Sequence, residues 1–119
     1  MFLILNVSFI IFLMRVGIDL VAVKKFLKVK KTDYWRWSHV FTVNEWAYAF
    51  RDVHRAEHLA GMFAAKEAAM KASGRMGVEY LKFFEVRHTA RGAPSLRRAG
   101  YRVSISHDRT YAIAVVLVE

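Results

Sequence analysis

The chain of 119 residues contains no cysteine. That excludes disulfides and thiolate metal sites, so any metal here would be held by oxygen or imidazole, which leans towards a hard cation. Proline occurs once and glycine six times, and no linker, repeat or low-complexity segment is present. One domain of this length can bury a core without staples, and no second domain fits. Acidic residues are scarce, 10 against 19 Lys and Arg, leaving a net charge of +9. The excess points to an anionic partner: nucleic acid, a phosphorylated small molecule or an acidic protein surface. The basic residues are spread along the chain, and the one tight cluster is Lys24, Lys25, Lys28, Lys30 and Lys31.

A membrane-spanning run is also missing. Residues 1–13, MFLILNVSFIIFL, are almost wholly apolar. They fall short of the roughly 18 residues a bilayer needs, and they lack the basic start and cleavage site of a signal peptide. We expect an apolar N-terminal extension over 1–13, with Met14 as the natural start, and one domain over 14–119. An added edge strand and a weak anchor are the other readings of that extension.

What is present centres on LAGMFAAKEAAMKASG, Leu59 to Gly74. At about 100° per residue, Leu59, Phe63 and Met70 share one side, widened by Ala56, Ala60 and Ala64. Glu67 falls inside this arc, whereas Glu57, His58 and Ala65 point the other way. A buried carboxylate needs a cation or several hydrogen bonds. The plainer reading pairs Glu67 with Lys71 at i,i+4.

The segment VGIDLVAV, Val16 to Val23, reads as a buried strand. Asp19 shares a face with Gly17, Val21 and Val23, and the absent side chain at Gly17 admits a close neighbour. A strand-end aspartate bonded to an amide is the competing reading. Thr42 and Glu45 form a capping box, with Phe41 and Trp46 in the positions of a hydrophobic staple. A helix is therefore expected from Thr42 to about Asp52, followed by the central helix. The remainder reads as β: Tyr80 to Thr89, a turn at Arg91 to Pro94, then Tyr101 to His107 and Thr110 to Val118 joined by a short turn.

Residues His54 to His58, HRAEH, match a zinc-peptidase pattern. Both histidines lie on the polar side of the helix, and no third ligand is evident, so two solvated histidines beside a glutamate is the stronger reading. Asp19 and Glu67 are different. Two inward carboxylates could share one divalent cation with several open positions, which suits magnesium holding a substrate's phosphates. Lys66 and Lys71 would then supply point charges to those phosphates.

The segments GIDLVAV, FTVNEW, LAGMFAAKEAAMKA, GAPSL and SISH, in that order, closely resemble the holo-acyl-carrier-protein synthases, small 4′-phosphopantetheinyl transferases. The resemblance runs from Met14 to Glu119. It implies an α+β fold, a small antiparallel sheet packed against a long central helix. It also implies transfer of 4′-phosphopantetheine from coenzyme A to a serine of apo acyl carrier protein, releasing adenosine 3′,5′-bisphosphate, with magnesium required. Asp19 and Glu67 take the metal-ligand places, Lys71 that of the pyrophosphate lysine, and His107 that of a histidine near the nucleotide end of coenzyme A. Gly92 and Pro94 match a structural turn. Glu67 or a water on the metal would accept the serine proton. Lys24 and Lys25 match carrier-docking positions. The resemblance further implies a cytoplasmic homotrimer whose acceptor serves fatty acid biosynthesis or polyketide synthesis; neither a nucleic-acid partner nor stable membrane insertion is expected.

Two residues depart from the family pattern: Ala22 stands where a glutamate is usual, and Met62 where an arginine helps hold coenzyme A phosphate. Arg55 or Arg75 could substitute for it. The apolar extension, directly before the metal strand, is a third departure. These motivate a competing reading, a degenerate member that binds coenzyme A or carrier protein without turnover. A nucleic-acid-binding domain rests on charge alone.

Overall fold

A computed structural model describes residues 14–119, and the apolar extension expected over 1–13 lies outside them. Strand β1, Arg15–Ala22, leads through a 3-10 turn at Val23–Phe26 that drives Val23 and Phe26 into the core. A second such turn, Lys31–Asp33, precedes the short helix α1, Tyr34–Trp37. Then come α2, Val43–Ala49, and the long α3, Arg55–Ser73. Helix α4, Glu79–Phe83, is followed by β2, Val86–His88, β3, Pro94–Leu96, β4, Tyr101–His107, and β5, Tyr111–Val118.

Strands β1, β5 and β4 form an antiparallel sheet in that order, and β2 pairs with β3. Ala114 lies between Asp19 on one side and Ile105 on the other. The sheet face carrying Gly17, Asp19, Val21, Ala112, Ala114 and Val116 packs on α3. Ala112, Ala114 and Val116 are fully buried, as are Leu59, Ala60, Ala64, Ala65, Ala68 and Ala69 of the helix. Small side chains on both sides bring helix and sheet close together. At Gly17 the approach is closest: a Cβ there would run into the Ala68 carbonyl oxygen and come within 2.7 Å of the Ala72 nitrogen. The neighbour that Gly17 admits is the backbone of α3. The architecture is the α+β arrangement expected, an antiparallel sheet against a long helix.

The expected capping box is present. Thr42 N donates to Glu45 Oε1 at 2.8 Å, Glu45 N donates to Thr42 Oγ1 at 3.2 Å, and the Phe41 and Trp46 rings meet at 6.0 Å. Phe26, Trp37, Phe41 and Phe63 extend this aromatic cluster. Helix α3 closes at Gly74, whose φ of 71° suits glycine and whose N–H reaches the Met70 carbonyl.

Four expectations are corrected. Strand β1 is buried on one face only, since Val16, Ile18 and Leu20 on the other are more than half exposed. Helix α2 ends at Ala49 rather than near Asp52. Tyr80 to Phe83 is not strand but the helix α4, because Lys66 reaches over to bond the Leu81 and Phe84 carbonyls that a helix C-terminus leaves without partners. Helix α3 has no single polar face. The sheet covers one side and α2 and α4 another, so Ala65 is buried and the open stripe is Phe63, Glu67 and Lys71. Among the described residues no helix is long and apolar enough to cross a membrane.

Candidate active site

Strand β1 carries Asp19 to the face that meets α3, and the helix presents Glu67 and Lys71 one turn apart beside it. The close contact at Gly17 sets the distance between these two elements. Lys71 Nζ lies 2.9 Å from Asp19 Oδ1 and donates to the Ile18 carbonyl at 3.1 Å. Lys71 therefore pairs across to the strand, not with Glu67 along its own helix. The Asp19 side chain is 14% exposed and that of Lys71 48%, so the carboxylate is sheltered while the ammonium arm reaches solvent.

Burial first, and then the neighbouring Asp19 carboxylate, push Glu67 above the usual carboxylate range, while Lys25 and Lys71 pull it back. Lys71 is held above its ordinary value, chiefly by its hydrogen bond to Asp19. Asp19 and Glu67 are thus close enough to feel each other's charge. Two hard carboxylates with few further protein ligands fit a small divalent cation that keeps much of its water, and such an ion would relieve their repulsion. Lys25 completes the rim, its Nζ 4.1 Å over the Phe63 ring, and Lys24 beside it is exposed.

Lys66 does not join this group. Its side chain is wholly buried, with Nζ 2.7 Å from Glu45 Oε2 and 2.6 Å from the Leu81 carbonyl. The expectation that it offers charge to a phosphate is corrected: one residue before Glu67, it turns about 100° away, onto the side covered by α2 and α4. Burial raises the Glu45 pKa and lowers that of Lys66, and the charge of each opposes the shift in the other. The same Glu45 oxygen, Oε2, also accepts from Val86 N at 2.8 Å, while Oε1 serves the Thr42 amide. The capping box accounts for one half of this glutamate's role, but no local signal links it to Lys66.

His107, at the end of β4, is two strands away from β1. Its Nδ1 lies 3.0 Å from Glu57 Oε2, beside a pocket of about 100 Å³ whose lining includes Tyr48, Met62, His88 and Pro94. From Glu57 to Glu67 is about 15 Å along the helix at ~1.5 Å per residue. A single chain therefore holds His107 apart from Asp19, Glu67 and Lys71. Met62 is buried, and no Lys or Arg is among the residues lining this pocket. Arg55 is spent on the Val29 and Leu27 carbonyls, both at 2.9 Å, and Arg75 lies 5.7 Å over Phe83.

Sequence reasoning missed the partner of that pocket's wall. The Tyr48 and His88 rings stack at 3.7 Å with an interplanar angle of 2°. Burial, then the charges of His58 and Arg51, bring His88 down to about 4. In HRAEH, His58 Nε2 contacts Asp52 Oδ1 at 3.0 Å and His54 Nδ1 lies 3.5 Å from Glu57. Among the described residues no three His, Asp or Glu side chains converge as a metal cluster.

The 4′-phosphopantetheinyl transferase superfamily model matches residues 15–116. A holo-[acyl-carrier-protein] synthase of Thermodesulfovibrio yellowstonii is 37% identical over 108 residues, covering 87% of this chain and 96% of the relative. One from Gloeobacter violaceus is 36% identical, covering 90% and 93%. Among solved structures, the Bacillus anthracis holo-(acyl-carrier-protein) synthase in complex with CoA (3′,5′-ADP) aligns with a TM-score of 0.72 at 33% identity, covering 88% of this chain and 95% of that one. The Helicobacter pylori enzyme in complex with coenzyme A aligns with a TM-score of 0.72 at 29% identity, covering 87% and 99%. A family match across nearly the whole described chain, joined to a fold that sets Asp19 against Glu67 and Lys71, places the chain in the holo-[acyl-carrier-protein] synthase family of 4′-phosphopantetheinyl transferases.

Proposed function

We propose that this chain, as one domain over 14–119, transfers the 4′-phosphopantetheine arm of coenzyme A to a serine hydroxyl of an apo acyl carrier protein. The product is holo carrier protein, and adenosine 3′,5′-bisphosphate leaves. The observation that carries this reading is the meeting of Asp19, Glu67 and Lys71 where β1 touches α3. Asp19 and Glu67 would hold magnesium. When bound, it supplies charge stabilisation to the phosphoryl oxygens. Lys71 offers the same phosphates a flexible cation, and Glu67, one turn away on the same helix, would take the serine proton. Lys25 lies on the same rim with exposed Lys24 next to it in sequence, and both suit an acidic carrier protein, with the +9 net charge speeding the encounter.

The oligomer is part of this proposal. The outer face of the sheet leaves Val16, Ile18 and Leu20 open, continued by Leu117 of β5. Such an apolar sheet face supports assembly with further copies, in a homotrimer. It also supports a site shared between copies, where His107 of one subunit reaches the phosphate machinery of the next. The buried Met62 and the absence of Lys or Arg around its pocket favour one alternative, a member that binds without turnover.

Mass spectrometry decides between them. Apo acyl carrier protein incubated with the chain, coenzyme A and magnesium should gain one phosphopantetheine mass. The gain should vanish with chelator, and Asp19→Ala or Glu67→Ala should slow it at least ~100-fold. No gain with several carrier proteins, while coenzyme A still binds, would establish the non-catalytic alternative.

A further inference from the structure

The Asp19 carboxylate already has a cation. Lys71 Nζ is 2.9 Å from Oδ1, held there by a second bond to the Ile18 carbonyl at 3.1 Å. A carboxylate oxygen bound to an ammonium group has given up part of the charge it could offer another ion. A divalent ion brought to the same oxygen would also face the ammonium at short range, where like charges repel strongly. Lys71 must therefore yield when a metal arrives.

It is built to yield. Its side chain is about half exposed, so it can swing outward without opening the core. The backbone beneath it cannot follow, because Ala68 and Ala72 of α3 are pinned against Gly17. Asp19 and Glu67 thus keep their places while the ammonium leaves. Once displaced, the ammonium needs a new anion, and a diphosphate beside the metal provides one.

We propose that Lys71 is an internal counter-ion that competes with metal at Asp19, so that the chain takes up metal weakly alone and strongly as a metal–diphosphate complex. This rests on the reading of Asp19 and Glu67 as metal ligands. The two ligands help each other through one side chain: metal frees Lys71 for the diphosphate, and the diphosphate draws Lys71 away from the metal position. Linkage requires the effect to be equal in both directions. The ligand selected is neither free metal nor free diphosphate but the two together.

The test is metal binding, not turnover. Manganous ion is titrated into the full chain with electron paramagnetic resonance as the readout, with and without coenzyme A, for the wild type, Lys71→Met and Asp19→Asn. Met keeps the length of the arm and removes its charge. Lys71→Met should bind manganese alone about two- to fivefold more tightly than the wild type, the range set by an exposed ion pair. Its enhancement by coenzyme A should shrink or vanish. Equal or weaker manganese binding by a folded Lys71→Met, with the coenzyme A enhancement intact, would overturn the proposal. Asp19→Asn separates this failure from a deeper one. If it leaves manganese binding unchanged, Asp19 is no ligand, and both the proposal and the reading beneath it fall.

Discussion

Lys66 Nζ and Glu45 Oε2 lie 2.7 Å apart with both side chains wholly buried, tying α3 to α2 in the middle of the molecule. The pair is fully bonded, for Glu45 also serves the Thr42 and Val86 amides and Lys66 the Leu81 and Phe84 carbonyls. Removing one partner leaves the other charge buried without its counterpart, at a cost of about 3 to 5 kcal/mol. Lys66→Met should therefore lose about that much unfolding free energy in urea titration. A loss below ~1 kcal/mol would show that water reaches the orphaned carboxylate.

Gly17 admits the backbone of α3, so any Cβ there forces strand and helix apart. Gly17→Ala should cost at least ~1 to 3 kcal/mol, the usual scale of overpacking, and should lower activity because Asp19 moves with its strand. Denaturant titration and the carrier-protein assay read the two effects separately. An unperturbed Gly17→Ala would mean that β1 and α3 can separate freely.

His88 is stacked on Tyr48 and brought down to about 4 by burial and neighbouring cations. Its folded pKa is below its unfolded value, so the unfolded chain binds the proton more readily. Stability from this group is complete above pH ~6.5 and is lost as pH falls towards 4. Thermal melts from pH 7 to 4 should show a steeper fall for the wild type than for His88→Phe, which keeps a ring on Tyr48 but cannot titrate. Parallel curves would mean that His88 contributes nothing to the acid sensitivity.

Ile18 projects from the open face of the sheet, away from α3. Ile18→Asp should leave the monomer folded, because its side chain is more than half exposed, yet convert an oligomer to single chains. Light scattering after size exclusion measures the mass. If the mutant keeps the wild-type oligomer, that face is not the interface.

Short-range chemistry is legible in the sequence. Thr42 and Glu45 close their capping box within three residues, and the hairpin of β4 and β5 follows from alternation around a short turn. Asp19 in an apolar strand and Glu67 in an apolar helix are anomalous enough to be paired, and their neighbourhood in the fold agrees. The burial of Glu67 is where periodicity misleads. A helical wheel assumes one covered side, whereas α3 is enclosed by the sheet and by other helices, leaving Phe63, Glu67 and Lys71 as its open stripe.

The sequence by itself therefore determined the elements with short-range signals, the family, and which residue types the proposed chemistry would use. Only the tertiary structure decided which lysine stands beside Asp19 and Glu67. Lys66 and Lys71 are both basic residues of one helix, and spacing alone treats them alike. Their fates differ because Glu45, 21 positions before Lys66, draws one ammonium into the core, while Asp19 on a distant strand holds the other at the surface. Partners so far apart along the chain leave no periodic trace, because their meeting depends on how helix and sheet pack.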